Sequence, residues 1–566
     1  MITTTKKFSD YTYSRPDMAH LEKCFKKELA ALGNASTFAE AKESFQQIYE
    51  LRNAFQTMYN LAYIRHSSNS HDAFYEAENS FFDQQTPIFE ALKNSFYQAI
   101  LSSEFTAEFR QAYGAQLFDI AALSLKTFDP AIIEDLQEEN RLVSVYNKLK
   151  ATAQFQFQGK TYNLSSIQPL EENPDRSTRA AAARAKWDWL AKQQPELDRI
   201  FDELVKVRHK IAKQLGYENY VELGYARMLR TDYNAQDVAA YREAIRQHIV
   251  PLTSWLYDQQ RQGLGLETFY YYDEPIKFLE GNAVPQGNPE WIVAKAGQMY
   301  AELSAETDDF FRFMQERELM DLVSRDGKAT GGYCTFIPNE KAPFIFSNFN
   351  GTSGDIDVLT HEAGHAFQVY SSKDIPITEY NWPTYEACEI HSMSMEFFTW
   401  PWMNLFFEGE VDRYYYGHLS GAINFLPYGV AVDEFQHYVY ENPEATPEMR
   451  NAAWLDIEKK YLPHRNYEGH PYLEGGGYWQ RQTHIYGMPF YYIDYTLAQI
   501  CAFQFWQKDQ AEHTEAWADY IRLCKAGGSA SFLKLVELAN LQSPFKEGCV
   551  AEMAKAVKEW LEEHPL

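Results

Sequence analysis

The sequence predicts a mainly α-helical protein carrying one small β-sheet. Three observations carry this reading. Long stretches with apolar residues at helical spacing dominate the chain. Runs that alternate apolar and polar residues are scarce. A length of 566 residues with 45% hydrophobic content is enough to bury a large core.

In chain order, residues from about Pro16 to Leu149 read as successive helices with frequent aromatic positions. Phe155 to Leu164 alternates around Gln158-Gly159, the pattern of a hairpin. Asp175-Arg176-Ser177 starts a second helical series through Trp189 and Ile200. That places a boundary near residue 170, with an N-terminal helical domain over 1–170 and a larger domain over 171–566. Phe344 to Asn350, bounded by Pro343 and Gly351, suits a short strand whose free edge would hold an extended peptide by main-chain hydrogen bonds. Gly331-Gly332-Tyr333-Cys334-Thr335, entered through a turn at Asp326-Gly327, reads as its partner. Thr352 or Ser353 can cap the helix that follows, and Asp355 and Asp357 suit its positive end. Val358, Leu359, Ala363, Phe367 and Val369 give that helix an apolar stripe, with no proline until Pro376.

On this helix lies His361-Glu362-Ala363-Gly364-His365. Residues four apart share a helix face, so the two imidazoles can bind one zinc ion through a nitrogen each. Glu362 borders the same site and could take a proton from a zinc-bound water. This is the H-E-x-x-H pattern of zinc metallopeptidases. The extension that supplies a third histidine is absent, because Gln368 and Ser371 stand at its glycine and histidine positions. A glutamate on the next helix, Thr384 to Phe398, is the other source. Glu386, Glu389 and Glu396 lie on roughly one face of a largely apolar helix, and buried carboxylates need partners. Glu389 is the favoured ligand, Glu386 the alternative, and Glu396 a partner for a ligand histidine. Cys388 is a further, weaker candidate. Gly475-Gly476-Gly477 reads either as a mobile loop over the cleft or as an ordinary turn.

Composition narrows the partners. A net charge of −27 argues against nucleic acid and against anionic membrane surfaces. The N-terminus lacks an apolar targeting segment, no apolar run is long enough to span a bilayer, and the six cysteines form no C-x-x-C pair. These features point to a cytoplasmic protein without a disulfide framework.

Pro343-Phe344-Ile345-Phe346-Ser347-Asn348-Phe349-Asn350-Gly351-Thr352-Ser353-Gly354-Asp355, leading into His361 to Phe367, resembles the M3 family of zinc oligopeptidases, in particular the oligoendopeptidase F and Pz-peptidase branch. Glu389 through Glu396, His484 through Tyr495, Gly527-Gly528-Ser529 and Ser543-Pro544-Phe545 fit the same branch. The resemblance implies two helical lobes flanking a deep channel that admits short peptides and excludes folded proteins. It implies one zinc per chain held by His361, His365 and Glu389, with Glu362 as general base. Transition-state donors fall on His484, Tyr492 and Tyr495, although Met488-Pro489-Phe490 replaces the glycines of mammalian members and the loop is about one residue shorter. The function expected is cleavage of internal bonds in short oligopeptides. A related zinc carboxypeptidase and an inactive peptide-binding scaffold are the alternatives.

Overall fold

Where the sequence keeps helical spacing longest, the chain forms its longest helices: Phe38–Ser68, Ala73–Ser102, Arg176–Gln214 and Val411–Glu441. Local chemistry sets their starts. Thr37, Asp72 and Asp175 each accept hydrogen bonds from amides of the first turn, and the Asp175 carboxylate receives that of Thr178 at 2.8 Å. The computed structural model describes residues 6–565 and is 70% helical. The predicted hairpin pairs Phe155–Phe157 with Lys160–Tyr162, and Gln158 and Gly159 both have positive φ, as a tight two-residue turn requires.

A three-stranded sheet stands beside the motif helix. Ala342–Phe349 is its central strand, parallel to Met320–Val323 on one side and antiparallel to Tyr333–Ile337 on the other. This corrects the expectation of a free edge on Phe344–Asn350. Met320–Val323, whose short run gave no alternating signal, covers that strand, and the free edge beside the cleft belongs to Tyr333–Ile337.

The motif helix spans Gly354–Ser372 and the second helix Tyr385–Phe398. Neither Thr352 nor Ser353 caps the first with its side chain. Asp355 does the equivalent work by turning back to accept from the Asn350 and Gly351 amides, both at 2.8 Å. The two helices cross in close contact at Gly364. A Cβ there would lie 2.6 Å from the His391 carbonyl oxygen and 2.7 Å from the Ser392 Cα. Only glycine permits that approach.

The N-terminal helices hold the segment leading into the second helix. Glu379 is buried among Arg52, Tyr97 and Tyr49, which donate at 2.6, 2.6 and 2.7 Å. The Tyr380 hydroxyl donates to the Tyr113 carbonyl and accepts from the Leu117 amide, both at 2.8 Å. From the other side Gly528 donates to the Tyr380 carbonyl at 2.9 Å, and side chains at Gly527 or Gly528 would strike the 379–382 backbone. Gly475-Gly476-Gly477 is an ordinary packed turn: a Cβ at Gly476 would lie 2.3 Å from the Asn451 carbonyl oxygen, and one at Gly477 2.3 Å from the Tyr472 ring.

Candidate active site

His361, Glu362 and His365 occupy successive turns of the motif helix, and Glu389 reaches them from the second helix. The Nε2 atoms of His361 and His365 lie 3.2 and 3.3 Å from the same oxygen, Glu389 Oε2. All three offer a ligand atom within 4.8 Å of the others. Zinc held at its usual distances of about 2.0–2.1 Å in a tetrahedron has ligand atoms about 3.3 Å apart, so both imidazole–carboxylate spacings fit. The cluster is compatible with a metal site.

The surroundings support that fit. His361 Nδ1 contacts Glu396 Oε1 at 2.7 Å, which leaves its Nε2 facing Glu389. Glu396 is held in turn by His418 at 2.8 Å, and the Trp400 indole N–H donates to His418 at 3.2 Å. Burial alone would lower the His361 pKa, but Glu389 and Glu396 outweigh it and hold the imidazole well above its usual range. Burial likewise opposes ionisation of Glu389, yet the two imidazoles bring its carboxyl well below the ordinary value. Buried anionic oxygens facing imidazoles are what a divalent cation requires.

Glu386 stands apart. Its carboxyl is buried with neither oxygen hydrogen-bonded, and burial together with nearby Asp494 raises its pKa, so it holds its proton more firmly than an exposed glutamate. The Cys388 thiol donates to the Pro383 carbonyl at 3.4 Å, outside the cluster. Glu362 is buried, its Oε2 lacks a partner, and burial raises its pKa. It lies under the start of the edge strand, where a Cβ on Gly332 would sit 3.1 Å from Glu362 Oε1.

His484, Tyr492 and Tyr495 line one cavity of about 500 Å³ together with Glu396 and His418. His484 Nε2 and the Tyr495 hydroxyl are 3.1 Å apart, and the Gln482 amide donates to His484 Nδ1 at 2.7 Å. The Tyr428 hydroxyl, donating to Gln482 Oε1 at 3.0 Å, orients that amide. Burial pushes the His484 pKa down to about 4, so its imidazole is neutral near pH 7 and its Nε2–H points at Tyr495. Tyr492 packs instead against Phe425 and Tyr428.

One residue escaped the sequence reading. The Tyr491 hydroxyl donates to Glu389 Oε1, while Ser392 donates to Glu389 Oε2 at 2.8 Å. A signal was present: Tyr491 and Tyr495 are four apart at a helix start, which puts both rings on one face, 4.8 Å between centroids. Behind this wall Arg230 donates to the Phe490 carbonyl and, at 2.7 Å, to Asp494.

Known proteins share this fold. The model of the peptidase M3 N-terminal domain matches residues 8–128, and that of peptidase family M3 matches 169–281 and 293–555. A putative oligoendopeptidase F structure is 56% identical and superposes with a TM-score of 0.98 over 98% of this chain and 99% of that one. Pz peptidase A, solved with an inhibitor, is 54% identical with a TM-score of 0.98, over the same shares of both chains. An oligoendopeptidase F homologue from Borreliella burgdorferi is 23% identical over 370 residues, spanning 63% of this chain and 60% of that protein. No helix among the described residues is long and apolar enough to cross a membrane. With the family model covering more than half its length, the chain belongs to peptidase family M3, a family of metallopeptidases.

Proposed function

We propose that the protein is a zinc-dependent endopeptidase that hydrolyses internal bonds of short oligopeptides. The observation that carries this reading is the convergence of His361 and His365 on a single oxygen of Glu389, with Glu362 buried beside them. His361, His365 and Glu389 would hold one zinc ion. Bound there, zinc would acidify a water and polarise the scissile carbonyl.

The chain's own residues do the rest. Glu362, with its raised pKa and unbonded Oε2, takes the proton of the attacking water and passes it to the leaving amine. The Tyr495 hydroxyl accepts from neutral His484, which frees its own proton to stabilise the oxyanion. Tyr492 is the less direct donor of the three. The free edge of Tyr333–Ile337 holds the peptide main chain, which suits broad sequence tolerance. The regions 1–170 and 171–566 form one catalytic unit, because the Glu379 and Tyr380 contacts seat the second helix on the N-terminal helices. Six unpaired cysteines accord with a reducing, cytoplasmic setting.

The test is cleavage of an internally quenched peptide blocked at both termini, before and after chelation. The reading predicts internal cleavage that chelator abolishes and zinc restores. Zinc-dependent removal of terminal residues only, with blocked peptides untouched, would identify a carboxypeptidase instead.

A further inference from the structure

We propose that Phe490 is a positioning residue: its ring, seated in a slot over Gly224, locks a left-handed turn that fixes how Tyr491 meets Glu389 and how Tyr495 faces the scissile bond. The lock deepens the peptidase reading above, on which it rests, by naming what holds the oxyanion wall in place.

The chain reverses between His484 and the helix Tyr492–Ala511, and Phe490 carries the reversal with a φ of 66°. Left-handed backbone crowds the Cβ against the following carbonyl oxygen, so glycine takes it freely and a bulky residue rarely does. Eight non-glycine residues among the described ones have positive φ, and Phe490 alone of them is buried. Strain of this kind persists only where surrounding contacts over-determine it.

Those contacts hold both the backbone and the ring. The Phe490 amide donates to Gln436 Oε1 at 2.8 Å, and its carbonyl accepts from Arg230. Arg230 is buried in turn, donating to Asp494 at 2.7 Å and lying 4.4 Å over the Tyr225 ring. Ring centroids of His437, Tyr225 and Tyr440 lie 5.1, 5.4 and 5.6 Å from that of Phe490. Beneath the ring is Gly224, inside the helix Tyr220–Arg227. A Cβ there would lie 2.4 Å from Phe490 Cδ2 and 2.7 Å from Cε2. Glycine weakens a helix interior, and this one has a packing reason: it makes the slot.

The turn governs what stands next to it in the cleft. Tyr491 follows directly and donates its hydroxyl to Glu389 Oε1. Tyr495 comes one helical turn later, its ring 4.8 Å from that of Tyr491 and its hydroxyl 3.1 Å from His484 Nε2. A change of φ at Phe490 re-aims the first turn of this helix, which carries both rings on one face. Phe490 is itself fully buried, so it acts through the two tyrosines and not on the peptide. Donors aimed at the oxyanion matter in the transition state, whereas main-chain pairing holds the ground state. Loss of the lock therefore falls on kcat and spares KM.

The test compares Phe490→Ala, Phe490→Gly and Gly224→Ala in the zinc-loaded full chain, on a blocked, internally quenched peptide, with denaturant unfolding to check each fold. The expected result is kcat lowered by about 10–100-fold in Phe490→Ala and Gly224→Ala, with KM changed by less than about twofold. Phe490→Gly loses the same ring but accepts the left-handed turn freely, so it should retain more activity than Phe490→Ala; packing alone would order them the other way. Gly224→Ala should cost nothing further in the Phe490→Ala background, where no ring is left to displace. A phosphinic peptide, whose tetrahedral anion stands in for the oxyanion, should bind Gly224→Ala about tenfold more weakly by calorimetry. In the metal-free protein, amide hydrogen exchange should rise at residues 488–495 in both single alanine variants. Full kcat in Gly224→Ala, additive costs in the double variant, or a loss confined to KM overturns the proposal. Should Phe490→Ala fail to fold, Gly224→Ala and the exchange measurement decide. No cleavage by the unmodified chain overturns the peptidase reading alone, because unchanged exchange in metal-free Gly224→Ala separately overturns the lock.

Discussion

Replacing Gly364 by alanine adds one methyl group to the motif without touching any candidate ligand. The new Cβ would lie 2.6 Å from the His391 carbonyl oxygen and 2.9 Å from the Met395 Cβ. Ordinary contact begins at 3.4 Å, so the tightest approach is 0.8 Å too short. The obstructing atoms are helix backbone or fixed to it, and the relief available is to move the two helices apart. Glu389 rides on the displaced helix two residues before His391, whereas both histidines stay with the motif helix. Metal–ligand distances tolerate about 0.2 Å, so such a movement spoils the three-ligand geometry unless Glu389 rotates to compensate. We expect a stability loss of about 1–3 kcal/mol from overpacking and zinc affinity weakened by about tenfold or more. Zinc titration against a competing chelator measures the affinity, and denaturant unfolding of the metal-free protein measures the packing cost. Gly263→Ala is the control, because a Cβ there meets nothing within 4 Å. Unchanged zinc affinity and stability in Gly364→Ala would refute the claim that this glycine sets the distance between ligand-bearing helices.

Three further outcomes follow from the same geometry. Tyr491→Phe removes the hydroxyl donated to Glu389 Oε1 and should weaken zinc binding by about 10–100-fold in the same titration, without loss of fold. Glu389→Ala should abolish stoichiometric zinc, and Glu386→Ala should retain it; metal analysis showing the reverse would exchange their roles. Burial opposes ionisation of Glu139, but Arg227 and Arg208 outweigh it and hold its pKa at about 2, below the ordinary glutamate value of 4.5. Its stabilisation is therefore fully present above about pH 4.5 and lost as pH falls through about 2, on the order of 3 kcal/mol in total. Arg208 also donates to the Tyr486 carbonyl, so Glu139→Gln should flatten the acid limb of a stability–pH profile and loosen the His484 segment; an unchanged limb would contradict this.

How much of this was legible in the sequence depended on the range of the interactions. The motif helix was readable because its apolar stripe and its histidine spacing are local. Helical spacing offered Glu396 as a partner for a ligand histidine, and the structure shows that this histidine is His361. The parallel strand Met320–Val323 was not readable, since a four-residue strand with one buried side chain leaves no periodic trace and its pairing is fixed by distant residues. Glu379 gave no signal either, because its partners Tyr49, Arg52 and Tyr97 lie about 300 residues earlier. The site illustrates the same divide. Glu389 and Glu386 could not be told apart on a shared face, but with the helices crossed at Gly364 the Glu389 carboxylate meets the imidazoles while that of Glu386 is buried beside Asp494. Tyr491 was hidden beside Tyr492, because the sequence does not show that the first meets Glu389 while the second packs on Phe425 and Tyr428.

The central claim is that Glu362 moves the proton while His361, His365 and Glu389 hold the metal. The most direct measurement pairs zinc content with turnover of a blocked, internally quenched peptide in Glu362→Gln. The account predicts one zinc per chain, as in the unmodified protein, with turnover reduced by at least a hundredfold. Full zinc with near-normal turnover would contradict Glu362 as the base, and loss of zinc would place Glu362 among the ligands.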